Sequence, residues 1–418
     1  MADHNKKQAK SFGEGVRGYM KGLEVVDYRL IISIVFLVMF GLIMVYSASN
    51  AQYGASLLKR QFEIGGLGFI MMLVISYIDY HIYAKFAGAL YVLSVLSLFL
   101  VKVPGIGVTK NGASRWIEIG PISFQLRASE TGNGDSDGLS VDSTAMKKWY
   151  ADVLLIFPGL IAVGLILFVT KNLSTALIVF GIVAFMFFIA YPDKEIWRWI
   201  GVVLVAVVVV LLVYYNLVIV REHSLLLSEG TSATSNADFR SNRILAWLYP
   251  DDYPQASMQS RYSMYAIGFG GLLGRGLGNG TMKYYLPYAM NDFIFGVIGE
   301  ELGLVGCGLV IFLFIYQVWR VFTVSQHAKD RLGSYMAFGI GIHVALQVLL
   351  NIGVSTGVLP NTGISLPYIS YGGTALLLQL CEMGIVLNIS RQIPGRRIRV
   401  GDSSQKQDRT ESKQVHAA

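Results

Sequence analysis

Three carboxylates stand in the stretch YLPYAMNDFIFGVIGEELG, residues 285–303: Asp292 directly ahead of an apolar run, Glu300 and Glu301 inside it. A carboxylate so placed can accept a proton from a hydroxyl, cap a helix or pair with a buried base. Around these acids the chain offers cations. Lys59, Arg60, Lys110, Arg115, Arg127, Arg240, Arg243, Arg261, Arg275 and Lys283 all fall in or beside segments between apolar runs. Most read as solvated loop residues. Lys59 and Arg60 sit in a short connection between two spans, and Arg115 lies in the aromatic, Gly-rich NGASRWIEIG. An anionic ligand at the membrane surface accounts for them, because guanidinium and ammonium groups hold phosphate oxygens strongly where water is partly excluded. The six histidines show no ligand spacing, and His343 reads as a hydrogen-bonded interior group. Cys307 and Cys381 lie in apolar runs, as small packed residues rather than a disulfide or metal site.

The elements that position these residues are membrane helices. Of 418 residues 54% are hydrophobic and only 15% charged, which excludes a soluble domain. Apolar runs of spanning length occur near 30–47, 64–78, 83–101, 149–169, 173–191, 196–220, 293–319, 334–358 and 366–390, nine in all. The first follows a basic stretch and is of full spanning length, so it reads as a retained anchor rather than a cleaved leader. If a helix starts near Asp292, then Gly296, Gly299, Gly303 and Gly306 project within ~40° of the Asp292 direction. Such a stripe lets a neighbour approach closely, so Asp292 is expected to crown a tight seam at the mouth of the bundle. Glu300 should lie about 12 Å deeper, with Glu301 on the opposite side. For that pair a structural role, pairing with a base or capping a broken helix, is as good a reading as chemistry; for Asp292, capping and chemistry are evenly matched.

Basic residues precede the first span (Lys6, Lys7, Lys10, Arg17, Lys21, Arg29) and follow the last (Arg391, Arg396, Arg397, Arg399), so both tails, 1–29 and 391–418, are expected in the cytoplasm. The membrane domain is then 30–390, with 221–292 a large extracytoplasmic loop. Two cytoplasmic tails demand an even number of crossings. Counts from the two ends collide between 102 and 148, where QLRASETGNGDSDGLSVDSTAMKKW is polar and carries no apolar run. Within it NGDSDG matches half of a calcium loop, but Thr144 stands where a bidentate Glu is needed. A solvated loop is the expectation.

The segments KRQ (59–61), NGASRWIEIG with FQ and SE (111–130), AIGFGGLLGRGLGNG (266–280), YLPYAMNDFIFGVIGEELG (285–303) and GVLPNTGISLPYISYGG (357–373) resemble the SEDS family of shape, elongation, division and sporulation proteins, the FtsW/RodA/SpoVE group, with a lean towards the FtsW branch. The resemblance implies an all-α polytopic membrane protein of ten helices, one more than the runs above. It implies a glycosyltransferase that polymerises lipid II at the outer face of the bacterial cytoplasmic membrane, with a class B penicillin-binding protein transpeptidase and other divisome or elongasome membrane proteins as partners. By its motifs Asp292 is the catalytic acid, Glu130 the acid of the family's QPSE segment, and Arg60 the basic residue of KRQ. The chain departs from the pattern around Glu130, where the proline, a lysine three residues on and the following apolar helix are missing, and at TKNLST (170–175).

Joining two lipid II units needs a general base for the attacking hydroxyl and cations, or a divalent ion such as Mg or Mn, for the departing pyrophosphate. Asp292 is the expected base. Arg60 and Arg115 are expected on the pyrophosphate, with Lys283, Arg275 and Arg261 as further candidates. The rival readings are a flippase for lipid-linked precursors and a weakly active scaffold for a transpeptidase.

Overall fold

The computed structural model describes residues 27–100, 107–110, 113–119, 122–125, 158–170, 173–190 and 239–393. In chain order these form α1 (Tyr28–Tyr53), α2 (Ser56–Tyr77), α3 (Tyr80–Leu100), strands β1 (Gly107–Lys110), β2 (Ala113–Ile119) and β3 (Ile122–Gln125), then α4 (158–170), whose last turn, Ile166–Thr170, is a π-helix. There follow α5 (Leu173–Ala190), α6 (Phe239–Leu248), α7 (Pro254–Gly270), the long α8 (Ile294–Gln326), α9 (Arg331–Ser355) and α10 (Gly373–Arg391). The 196–220 run, Glu130 and the tails 1–26 and 394–418 lie outside the described residues.

Among the described residues Tyr28–Ser49, α8, α9 and α10 are each long and apolar enough to cross a bilayer. Helices α2 and α3 (to Ala89) form a further candidate bent by 104°, and Ser174–Met186 is a shorter apolar helix. The body is therefore all-α, as expected. To it the 107–125 segment adds a small antiparallel meander, β1–β2–β3, with Lys110 opposite Ala113 and Trp116 opposite Gln125. Asn111–Gly112, a strong hairpin dipeptide, separates the first two strands.

Of the boundaries that move, two do so for a clear physical reason. Helix α2 starts at Ser56 rather than 64, so Lys59 and Arg60 lie on its first turns and not in a connecting loop. Polar residues at a helix end cost hydropathy without breaking the helix. Conversely 366–372, apolar enough to join the last span, is irregular: Pro367 lacks an amide proton and Tyr368 takes a positive φ of 60°, so α10 begins only at Gly373.

The main core cluster runs through α1, α8, α9 and α10, with Leu30, Ile34, Ile294, Val310, Leu380 and Ile389 shielded from solvent. Helix α10 lies along α2. They meet at small residues: a Cβ on Gly384 would come within 2.7 Å of the Met72 carbonyl, and one on Gly68 within 2.7 Å of Leu380.

Candidate functional site

Asp292 stands in a turn, half-buried, one residue ahead of Phe293, the N-cap of α8. What fixes it is its backbone. The Met290 carbonyl accepts from the Tyr371 amide at 2.8 Å, that of Asn291 from Ser370 Oγ at 2.6 Å, and that of Asp292 itself from Asn351 Nδ2 at 2.7 Å. Three consecutive carbonyls are thus held from outside their own loop. Leu286, Ala289, Met290 and Phe293 bury the other side of the turn.

The loop that does the holding, 364–372, enters the helix bundle itself. Gly41 of α1 admits it: a Cβ there would meet the Tyr368 carbonyl at 2.6 Å. Irregular backbone at such depth is tolerated only when every polar group is satisfied by protein. Side-chain amides do this. Gln61 Nε2 donates to the Ser370 carbonyl (3.2 Å) while its Oε1 accepts from the Gly372 amide (3.3 Å). Asn351 Nδ2 also serves the Ile364 carbonyl (2.7 Å), and Gln347 Nε2 the Ser365 carbonyl (3.0 Å). Gln379 accepts from the Tyr368 amide (3.1 Å) and donates to Gln347 Oε1 (3.1 Å). All four amides are buried.

Glu300 and Glu301 stand in the first turns of α8. Both are fully buried. Glu300 accepts from the amide and hydroxyl of Thr281 (2.7 and 2.9 Å) and the amide of Met282, with Arg275 Nη1 at 3.6 Å. Glu301 takes Lys283 Nζ at 2.8 Å, the Gly278 amide at 3.0 Å and the Ser47 hydroxyl of α1. Two residues after Glu301 the helix is broken at Gly303, whose φ of 66° and ψ of −165° are non-helical. The 271–276 turn fills the break. The carbonyls of Glu300 and Glu301 accept from the amides of Arg275 and Gly276, and the amides of Leu304 and Val305 donate to the carbonyls of Gly271 and Leu272, at 2.9–3.1 Å. Four backbone groups of α8 at the kink thus find their partners in the turn.

The glycine stripe ahead of the kink is where α7 docks. A Cβ on Gly296 would come within 2.6 Å of Ser263 Oγ, and one on Gly299 within 2.8 Å of Ile267. Below Gly303 the expected seam ends, and Gly306 faces only the Leu302 side chain of its own helix.

The other expected site residues separate. Lys283 is not available to a ligand: it is 5% exposed and spent on Glu301, the Gly278 carbonyl and Ser47. Arg275 folds back on Glu300, Thr281 and the Phe269 ring, with 40% of its side chain exposed. Arg60 is exposed on α2, one residue from the Gln61 that grips the 364–372 loop. Arg261 pairs with Asp251 at 3.0 Å. Arg115 belongs to β2, and Glu130 lies outside the described residues. His343 is an interior group as expected, its Nδ1 3.0 Å from Glu382. Sequence reasoning missed Gln61, Gln347, Asn351 and Gln379; amides inside apolar runs were the available sign.

A family model described as cell cycle protein, covering FtsW, RodA and SpoVE, matches residues 28–131 and 136–394. The chain belongs to this family. The SEDS match is interrupted only at 132–135, inside the segment where the crossings failed to add up. Among curated relatives, "Probable peptidoglycan glycosyltransferase FtsW" of Geobacter sp. (strain M18) is 34% identical over 90% of this chain and 100% of its own length. "Stage V sporulation protein E" of Bacillus subtilis (strain 168) is 33% identical over 87% of this chain and 97% of its own. In structure, the chain resembles one from "Structural coordination of polymerization and crosslinking by a peptidoglycan synthase complex", with a TM-score of 0.67 and 26% identity over 89% of this chain and 99% of that one. Thermus thermophilus RodA shares the fold, with a TM-score of 0.57 over 88% and 98% of the two chains.

Proposed function

We infer that this SEDS protein is a peptidoglycan glycosyltransferase that polymerises lipid II, with Asp292 as general base. The observation that carries the reading is the fixation of Asp292: a half-buried carboxylate ahead of a helix cap, on a turn whose three consecutive carbonyls are held by Tyr371, Ser370 and Asn351. A base needs such positioning, because proton transfer demands hydrogen-bond reach to the attacking hydroxyl. The acceptor's 4-hydroxyl gives its proton to the Asp292 carboxylate as its oxygen bonds to the anomeric carbon of the donor. The bond from that carbon to pyrophosphate breaks in the same displacement, the electron pair leaves on the phosphate oxygen, and the configuration inverts. Among the cations Arg60 is the exposed candidate for the leaving group, with Arg115 on the β2 strand; Lys283 is withdrawn from that role by Glu301.

No group of three or more His, Cys, Asp or Glu side chains able to hold a metal ion occurs among the described residues. Charge supports an extracytoplasmic Asp292: the Lys329–Arg331 turn and the end of α10, expected inside by the positive-inside rule, lie at the other end of the helices from it. A transpeptidase partner fits the peptidoglycan synthase complex to which the chain is similar.

The deciding experiment incubates the purified protein, alone and with its transpeptidase, with lipid II. Asp292→Asn should cut glycan formation by ~100-fold or more while leaving the protein folded. Unchanged polymer in that variant would sink the base assignment. Movement of lipid II across vesicles with no polymer at all would favour a flippase instead.

A further inference from the structure

Two buried ion pairs mark a slab through this bundle. Asp27, just ahead of α1, meets Arg320 near the end of α8; Ser47 of α1 meets Glu301 and Lys283 near its start. Between Asp27 and Ser47 lies about 30 Å of helix at 1.5 Å per residue, and from Leu30 to Tyr46 it carries no charge. That length equals the hydrocarbon thickness of a bilayer, about 30 Å. The exposure of α8 agrees independently. Residues Ile294 to Glu301 are buried on every side, whereas from Leu304 onward one stripe is exposed and apolar, through Leu309, Phe312 and Ile315 to Trp319. Lipid contact therefore starts at the Gly303 break and not at the helix start.

The turn spliced into that break has an apolar outer face. Leu273 is 81% exposed, Leu272 70% and Leu277 52%, at the level of Leu304 and Val305, to whose amides the turn is bonded or adjacent. Its one cation, Arg275, is folded back on Glu300 and Phe269. Three leucines on irregular backbone, continuous with a lipid-facing helix stripe, are the surface of an interfacial anchor. Entry of the backbone into this layer is eased because four of its polar groups, the Arg275 and Gly276 amides and the Gly271 and Leu272 carbonyls, are taken up by α8.

We propose that the 271–277 turn is a membrane wedge: Leu272, Leu273 and Leu277 insert among the acyl chains of the leaflet on the Asp292 side. The occupant of this surface is lipid, not a protein partner.

The test labels Leu273→Cys and Leu277→Cys, in the otherwise intact full chain, with bimane and reconstitutes them in phospholipid vesicles. Asp251→Cys, at a side chain 88% exposed and far along the chain from the turn, is the reference. Both sites are exposed, so the substitutions remove little packing. A nitroxide carried near the headgroup end of the acyl chain should quench both labels about threefold more than the reference, and aqueous iodide about threefold less. If either label follows Asp251→Cys, with strong iodide and weak lipid quenching, the wedge is overturned. A lipid-shielded label that becomes exposed when the transpeptidase is omitted would mean that protein covers the turn, and would overturn it equally.

Discussion

At the end of the bundle that carries Asp292, Lys283 meets Glu301 between a loop and a broken helix; at the far end Arg320 meets Asp27 between helix ends. Both pairs are buried, and both cost desolvation that geometry must offset. What surrounds them differs. Near Asp292 the partners are backbone groups of loops: Gly278, Thr281, Met282 and the spliced 271–276 turn. At the far end the links run between helix termini. Tyr80 gives its hydroxyl to Asp330 at 2.6 Å, Asp330 caps α9 through the Gly333 amide, and the Tyr80 amide donates to Asn388 of α10. A closed helix end needs only its last turns tied, whereas a reactive end must hold loops, and a loop is held by its carbonyls and amides. The two ends teach that buried charge serves packing at one and positioning at the other.

That contrast can be broken by matched substitutions, beyond the loss of polymerisation expected for Asp292→Asn. Lys283→Met leaves Glu301 buried without its cation, which costs roughly 3–5 kcal/mol. Arg320→Met strands Asp27 in the same way and should cost as much, read by thermal unfolding in detergent. Activity per folded molecule separates them: it should fall about tenfold or more in Lys283→Met, whose loop leads to Asp292, and stay near wild type in Arg320→Met. Equal activity losses would erase the distinction.

A smaller effect tests how the mouth is held. Asn351→Leu removes a donor to the half-buried Asp292 and the buried Ile364 carbonyls, at about 1–3 kcal/mol for the buried one. Lipid II polymerisation should fall through kcat, with little change in substrate affinity. A rise in KM alone would mean that Asn351 acts on binding instead.

The sequence was legible where charge met hydropathy. Asp292, Glu300 and Glu301 had to be explained because carboxylates do not belong in apolar runs, and the glycines at their spacing announced a close neighbour, which is α7. Helix-bound amides are a weaker sign: Gln61, Gln347, Asn351 and Gln379 interrupt apolar runs without charge, and their partners are loop backbone groups that no local pattern identifies. In sequence a loop cation such as Lys283 does not reveal that its carboxylate is Glu301. The break at Gly303 was hidden for a related reason: glycine in an apolar run is compatible with an unbroken helix until a second segment arrives to take the freed hydrogen bonds.

The far end yields the smallest expected effect and the one with a pH signature. Burial pushes the Asp330 carboxyl up, but the Tyr80 hydroxyl, the Gly333 amide and His81 together hold it below the ordinary carboxylate value. A carboxyl depressed in the folded state stabilises the protein above its unfolded pKa, and that contribution is lost as pH falls through the folded one. The wild type should therefore lose part of its thermal stability on acidification below the usual carboxylate range. Asp330→Asn keeps a capping oxygen for Gly333 but cannot ionise, so it should cost about 1 kcal/mol at neutral pH and flatten the acid limb. Asp330→Ala removes the cap as well and should cost up to about 2 kcal/mol. Because this cluster ties helix ends and touches no loop at the mouth, neither variant should alter polymerisation per folded molecule. An activity loss in Asp330→Asn at full folding would mean that the two ends communicate through the helices, and that the far end is not packing alone.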